Sequence, residues 1–549
     1  MAKILIIGGV AGGATAAARL RRMDEQAEII LFEKDEHISF ANCGLPYHIG
    51  GVIARRDALL LQTPERFQAR FHVDVRVRSE VIAIDPAGKT VTVRSHETGE
   101  VYEESYDKLI LSPGSRPIGS HAAGADAAGV FTLRNLADSD RIMDYMHQRQ
   151  PKRAVVVGGG YIGLEMAENL MEAGLAVELI QRSNQVMNPL DYDMACDVHH
   201  YMHRKGLGLH LNSEVMAIAP QDEGLRLTFT QGELATDMVI FAIGVEPDSR
   251  LAAMAGLDCN EKGGIVVDRF MRTSNADIYA VGDAVVVRDF VTGQPALIPL
   301  AGPANKQARI VADHICGADV SYAGTQGSSI LKIFDLVIAT TGINEKTAKR
   351  QGLDYDKVFA WLAGHASYYP GTQSMSMKVL FEKGSGKILG AQIVGFDGVD
   401  KRCDLLAIAV RLGLTAADLT QLELCYAPPF GSAKDPVNVA GYMIENVRGG
   451  LVRQFHWHDV AGLPQDGSVT LLDVRTGGER QAGSIAGFAH IPVDELRKRI
   501  GELPEGKPVF VHCQSGVRSY LACRILAQKG YECYNLAGGY RLYESVTKA

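Results

Sequence analysis

Two of the nine cysteines sit among neighbours that could make them reactive. Cys43 lies in Ser39-Phe-Ala-Asn-Cys43-Gly-Leu-Pro-Tyr47. The next cysteine in the chain is Cys196, so Cys43 cannot close a local disulfide. Its oxidised form must be a sulfenate or a mixed disulfide with a small thiol. The thiolate is the required nucleophile, and a nearby helix dipole favours it. Cys513 opens the six-residue loop Cys513-Gln-Ser-Gly-Val-Arg518, between the strand Pro508-Val-Phe-Val-His512 and an amphipathic helix from Ser519. Backbone N–H groups at a helix N-terminus, with Arg518 closing the loop, form an anion cradle around a thiolate. Cys196, Cys259, Cys316, Cys403, Cys425, Cys523 and Cys533 lie in no such motif and read as structural. There is no CxxC pair and no zinc spacing, so no metal is expected; His199, His200 and His203 read as a solvated helix face. An odd cysteine count in a long chain points to a reducing compartment, the cytoplasm.

The elements that must position these thiols are readable too. Lys3-Ile-Leu-Ile-Ile7 is a buried strand, followed by Gly8-Gly-Val-Ala-Gly-Gly13, an Ala-rich helix, and a second strand Glu28-Ile-Ile-Leu-Phe32 ending at Glu33. This is a βαβ unit with an acid about 20 residues after the last glycine, placed to accept hydrogen bonds from ribose hydroxyls. The unit recurs as Ala154-Val-Val-Val157, Gly158-Gly-Gly-Tyr-Ile-Gly163 and Val177-Glu-Leu-Ile180, where Gln181 and Arg182 take the acid's place. An acid there would favour NADH, whereas Gln beside Arg admits a 2′-phosphate, so the donor stays open as NADH or NADPH. Leu109–Gly114, Val239–Gly244 and Asp277–Asp283 are strands running into small-residue turns or an acid. From about Gly327 strands and helices alternate without glycine fingerprints, and Arg448-Gly-Gly-Leu451 begins a linker to a final segment.

At 549 residues the chain is long enough for several domains. With 46% hydrophobic and 22% charged residues it is an ordinary globular composition. A net charge of −8 carries no global footprint for nucleic acid, and no apolar run is long enough for a membrane span.

The Ser39–Tyr47 segment, the Ile278–Asp283 strand and the two glycine fingerprints together resemble the pyridine nucleotide–disulfide oxidoreductases. Within them it looks like the single-cysteine branch holding coenzyme A-disulfide reductases, NADH oxidases and NADH peroxidases. The dithiol members carry a second cysteine four residues away, where Ser39 stands here. The resemblance implies bound FAD, which would also favour the Cys43 thiolate. The FAD contacts it implies are Gly8, Val10, Ala11, Gly12, Gly13, Glu33, Lys34 and Asn42, with Ser112, Gly114, Arg134, Gly282, Asp283, Pro299, Leu300 and Ala301 further on. It implies a nicotinamide dinucleotide on Gly158, Gly160, Tyr161, Ile162, Gly163, Gln181, Arg182 and Gly244, with Glu165 near the flavin. Arg19 and Arg22, one helical turn apart, match residues that hold coenzyme A phosphates. Ser39, Asn42, Gln62, Lys306, Arg309 and Tyr368 complete the implied coenzyme A cleft. The branch's peroxidases and oxidases carry a histidine in the first glycine loop. Ala11 stands there, which argues against peroxide chemistry. His365-Ala-Ser-Tyr-Tyr-Pro370 and Cys425-Tyr-Ala-Pro-Pro429 match segments that reach a partner's site, so Tyr369 (or Tyr368) and Tyr426 would donate O–H groups across a homodimer interface.

The final segment, with Leu472–Arg475, Gly483–Gly487, Ile491-Pro492 and Asn535–Gly539, resembles a rhodanese domain. Its loop is one residue shorter than in the related phosphatases, which suits sulfur over phosphate. Asp473 and Arg475 read as structural. The implied fold is α/β: two Rossmann-like domains binding FAD (1–115 with 245–325) and NAD(P) (116–244), an α+β dimerisation domain (326–446), a linker (447–455) and an α/β rhodanese domain (456–549). The whole architecture resembles coenzyme A-disulfide reductase/rhodanese fusions, also described as NADH-dependent persulfide reductases. The substrates it implies are small sulfur compounds: persulfides, polysulfides and coenzyme A disulfide. The competing readings are an oxidase or peroxidase working through a Cys43 sulfenate, a redox or sulfur sensor, and an independent thiosulfate:cyanide sulfurtransferase.

Overall fold

The computed structural model describes residues 2–548. They fall into two units. The first comprises the chain up to Ser183 together with Leu207–Gly327. Its first sheet is parallel throughout, in the order Ile278–Ala280, Lys108–Leu111, Lys3–Ile7, Glu28–Phe32, Asp74–Arg76. Parallel strands covered on both faces need near-continuous apolar runs, and Leu5, Ile6, Leu31, Leu109 and Ile110 are fully buried. A second parallel sheet runs Gly208–His210, Ala176–Ile180, Arg153–Val157, Met238–Phe241, Val130–Thr132. In each sheet the strand with the glycine turn is central, and a helix, Ala11–Met23 or Tyr161–Glu172, leaves that turn.

The second unit comprises Asn184–Gly206 and the chain from Ser328. Its antiparallel sheet is ordered Ser329–Ile333, Leu336–Gly342, Ile388–Gly395, Ser374–Glu382, Tyr355–Ala363. Its parallel sheet is ordered Arg453–Phe455, Cys533–Leu536, Val509–His512, Thr470–Asp473, Ala489–His490. The last residues of the expected linker are thus an edge strand of the C-terminal sheet.

The helix Tyr192–Arg204 comes from the stretch read as NAD(P)-binding, yet it packs in this second unit. Asp191 and Asp193 at its start hold the fully buried Lys378 Nζ at 3.0 and 2.9 Å, with Glu345 as a third carboxylate at 2.9 Å. Further along, Asp197 receives Arg541 at 2.7 Å, Ser545 Oγ at 2.8 Å and Ser376 Oγ at 2.5 Å. This corrects the reading of the histidines. His199 is buried and its imidazole is pushed down to about 4, by burial first and then by His200 and His203. The helix is covered on more than one side, so it offers no fully solvated face. No His/Cys/Asp/Glu group that could hold a metal occurs among the described residues. No helix among them is long and apolar enough to cross a membrane.

Candidate active site

The first glycine turn is built for a close approach of phosphate. Gly8 has φ +96°, and a Cβ there would run into the Ser112 carbonyl oxygen. The Gly9 N–H donates to Glu33 Oε2 at 2.8 Å, and the Asp35 N–H to Glu33 Oε1 at 3.0 Å. Burial raises the Glu33 carboxyl. Both oxygens keep a lone pair for ribose hydroxyls, and their orientation is fixed by the backbone. In the same unit Asp283 Oδ2 receives Ser115 Oγ at 3.0 Å and Arg134 Nη2 at 3.3 Å, while Gln307 Oε1 receives the Gly282 N–H at 2.8 Å. Leu300 caps the helix Ala301–Ile315, which has no acid in its first turn and so leaves its N–H groups open to an anion. This donor set fits FAD. The second turn repeats the construction: Gly158 has φ +112° and a Cβ there would strike the Ala242 carbonyl oxygen, whereas a Cβ at Gly160 would meet open space. That opening is what lets backbone N–H groups approach a pyrophosphate.

Cys43 is exposed, on a short 3₁₀ turn that runs into the five-residue helix Leu45–Ile49. Its backbone N–H donates to Asn42 Oδ1 at 3.0 Å, and its thiol lies 3.6 Å from the same oxygen. The surrounding protein raises its thiol, chiefly by burial, then through Glu165 and Asp283; Arg134 opposes them. Burial and these two carboxylates therefore work against the thiolate, and the helix that follows Cys43 is only five residues long. Glu165 is itself held up at about 7, by burial first, with Tyr47 Oη donating to its Oε1 at 3.4 Å and Glu168 one turn on adding repulsion. Burial and Glu165 also raise the Tyr47 phenol.

Of the implied coenzyme A residues, Arg19 and Arg309 are drawn together from two helices by Asp313. Arg19 Nε is 2.6 Å from Oδ1 and Arg309 Nε 3.6 Å from Oδ2. Arg22 and Lys306 are exposed on the same two helices, and Gln62 is half-buried in a separate loop. In the second unit Tyr368 Oη and Tyr426 Oη are 2.9 Å apart, and Tyr369 packs edge-on to His365.

Cys513 is fully buried at the end of the strand Val509–His512. Its sulfur receives the Gly516 N–H at 3.1 Å and Ser519 Oγ at 3.2 Å. Arg518, expected to close the loop over the thiol, reaches Cys513 and is also held by a two-pronged pair to Glu479 at 2.7 and 2.6 Å. The guanidinium holds the Glu479 carboxyl down at about 2. Asp473 and Arg475 form a buried ion pair at 2.9 Å, and Arg475 also donates to the Gly483 carbonyl oxygen, the structural role read from sequence.

The sequence pattern of the pyridine nucleotide-disulphide oxidoreductases matches residues 2–307, more than half of the chain, and that of their dimerisation domain matches 328–436. The chain belongs to this family. A rhodanese-like domain follows at 457–545. The oxidoreductase is 40% identical over 444 residues to a coenzyme A disulfide reductase of Staphylococcus aureus, covering 80% of this chain and 99% of that one. The reduced CoADR-RHD of Bacillus anthracis superposes with a TM-score of 0.98 at 48% identity, over 100% of this chain and 98% of the other. An NAD-dependent persulfide reductase of A. fulgidus gives 0.92 at 36%, over 98% and 99%.

Four side chains of this oxidoreductase have a place in these sites that the sequence alone does not reveal. Tyr47 was visible only as the last letter of the Cys43 motif. Gln307, Glu479 and Ser519 carry no motif signal, and only the folded chain brings them to Gly282, Arg518 and Cys513.

Proposed function

We propose that this flavoprotein uses NAD(P)H to reduce coenzyme A persulfide, polysulfide and coenzyme A disulfide through Cys43, releasing hydrosulfide, while Cys513 handles sulfane sulfur. The observation that carries this reading is the isolation of Cys43: all nine cysteines are free thiols, and the partners of Cys43 are Asn42, Glu165, Asp283 and Arg134. Its second sulfur must come from outside the chain. The relatives named for coenzyme A disulfide and persulfide reduction support that source.

Bound FAD supplies a two-electron relay between the nicotinamide and Cys43. The chain's part is to bind and orient. Glu33 receives ribose hydroxyls, Asp283 is steadied by Ser115 and Arg134, and Gly158–Gly163 cradle the dinucleotide. Arg19 and Arg309, with Arg22 and Lys306, face the phosphates of coenzyme A. The Cys43 thiolate attacks the inner sulfur of coenzyme A persulfide; a Cys43–coenzyme A disulfide forms, the S–S bond of the persulfide breaks, and hydrosulfide leaves. Two electrons and a proton then split the mixed disulfide into the Cys43 thiolate and coenzyme A thiol. In a homodimer, the partner's Tyr426 and Tyr368 would donate to the departing sulfur. The mutual hydrogen bond of these hydroxyls supports Tyr368, beside Tyr369, as a second donor.

Cys43→Ser should abolish NAD(P)H-dependent hydrosulfide release, and mass spectrometry of the denatured wild type should find coenzyme A on Cys43. Cys513→Ser should spare reduction of preformed coenzyme A persulfide while slowing use of other sulfur donors. Full turnover by the Cys43 variant would refute the scheme.

A further inference from the structure

The two glycine turns of the first unit are copies whose differences can be read against each other. Lys3–Ile7 pairs with Glu28–Phe32 and Arg153–Val157 with Ala176–Ile180, and both registers end in step, at Ile7↔Phe32 and Val157↔Ile180. Glu33 and Gln181 are therefore equivalent positions, each the first residue beyond the second strand. The hydrogen bonds agree. The Gly9 N–H donates to Glu33 Oε2 at 2.8 Å, and the Gly159 N–H donates to Gln181 Oε1 at 2.8 Å. Gln181 Nε2 in turn donates to Ser183 Oγ at 2.6 Å, which fixes the amide with its oxygen toward the glycine turn.

An acid at this position accepts from a free ribose 2′-hydroxyl and repels a 2′-phosphate; a neutral residue with an arginine beside it accommodates the phosphate. The first copy has the acid. The second keeps the acid's backbone contact with an uncharged amide and follows it with Arg182, which is exposed and engages no carboxylate among the described residues. The one acid of the adjoining strand, Glu178, is committed to His210 at 2.8 Å. We infer that the second turn selects a 2′-phosphorylated dinucleotide, so that NADPH is the preferred electron donor, with Arg182 as the charge partner of the phosphate and Gln181 as the residue that removes the repulsion. The inference rests on the reading of the chain as a nicotinamide-fed reductase. It departs from the donor named for the A. fulgidus relative.

The test uses the FAD-loaded full chain without any sulfur substrate. Calorimetry compares 2′,5′-ADP with 5′-ADP, and anaerobic stopped flow compares flavin reduction by NADPH and NADH. One strong charge-assisted contact corresponds to roughly tenfold or more in affinity, so 2′,5′-ADP should bind at least about tenfold tighter. Arg182→Leu should remove that advantage and lower the ratio of the NADPH to the NADH reduction rate by a similar factor. Gln181→Glu should likewise weaken 2′,5′-ADP binding and should favour NADH. Equal binding of the two nucleotides, a wild-type preference for NADH, or equal losses with both donors in Arg182→Leu would overturn the assignment. If NADPH reduces the flavin but coenzyme A persulfide is not turned over, the donor assignment stands and the proposed sulfur chemistry falls.

Discussion

Glu165 and Cys43 share one electrostatic account. The carboxyl titrates at about 7 instead of 4.5, so the folded chain binds its proton more tightly than the unfolded chain does. The stabilising contribution is complete below pH 4.5 and is lost as pH rises through 7. The same ionisation opposes the Cys43 thiolate. Glu165→Gln should therefore let Cys43 react with iodoacetamide at lower pH than in the wild type, and should make the folded chain less sensitive to pH between 5 and 8. Alkylation rates across that range check the first effect and denaturant titrations the second; two identical alkylation profiles would sink the coupling. At the other thiol, Glu479 occupies Arg518 with a two-pronged pair, and on the proposed sulfur-handling role an anionic donor would have to compete with it. Glu479→Gln should raise the rate of sulfur uptake from thiosulfate severalfold, and an unchanged rate would mean that Arg518 plays no part in admitting the donor.

At the scale of elements, the helix Tyr192–Arg204 and the strand Ser374–Glu382 are tied by buried charge, Lys378 with Asp191, Asp193 and Glu345. Removing one partner from such a cluster strands the others away from water and costs about 3–5 kcal/mol. Lys378→Met should lower unfolding stability by that order, whereas Lys349→Met, at an exposed position paired to the same Glu345, should change it by well under about 1 kcal/mol. The contrast explains what was legible. The strands Lys3–Ile7 and Arg153–Val157 could be read because an apolar run, a glycine turn and an Ala-rich or apolar helix all carry local signals. The residence of Tyr192–Arg204 could not be read, since it depends on Lys378 and Arg541, 185 and 344 residues from their partners on the helix. His199 was misjudged for the same reason: spacing on a helix says which residues share a face, not what covers that face.

For the molecule as a whole, sharing of sites across a homodimer is the arrangement to test. A Cys43→Ser chain and a Tyr368→Phe/Tyr426→Phe chain should each be inactive or nearly so. Reassorted together, half of the dimers would pair one of each, and one site in each mixed dimer would be intact, so about a quarter of wild-type activity should return. No recovery would place the tyrosines and Cys43 in the same chain. The dimerisation segment leaves Tyr368, Leu412, Tyr426 and Phe430 exposed, apolar surface of the kind an obligate contact covers. At this scale the division into parts was legible from the two thiol motifs and the repeated fingerprint. The pinning of Arg518 by Glu479 was not, because no spacing rule relates a loop to a helix that precedes it in the chain by some 40 residues.

The carboxylate of Asp197 has a consequence for anyone who would trim this enzyme. Its three donors come from Ser376 in the antiparallel sheet and from Arg541 and Ser545 in the last helix. Cutting the chain after Arg448 to obtain a minimal reductase strips two of those donors at a stroke, along with the Ser545 carbonyl that meets His200. What is left is a raw scar of polar and apolar surface never shaped for water. A workable truncation needs that scar resurfaced, with Asp197→Ser a first change and polar replacements around it, and the same patch gives a ready seat for grafting a different sulfur-delivery module onto the reductase.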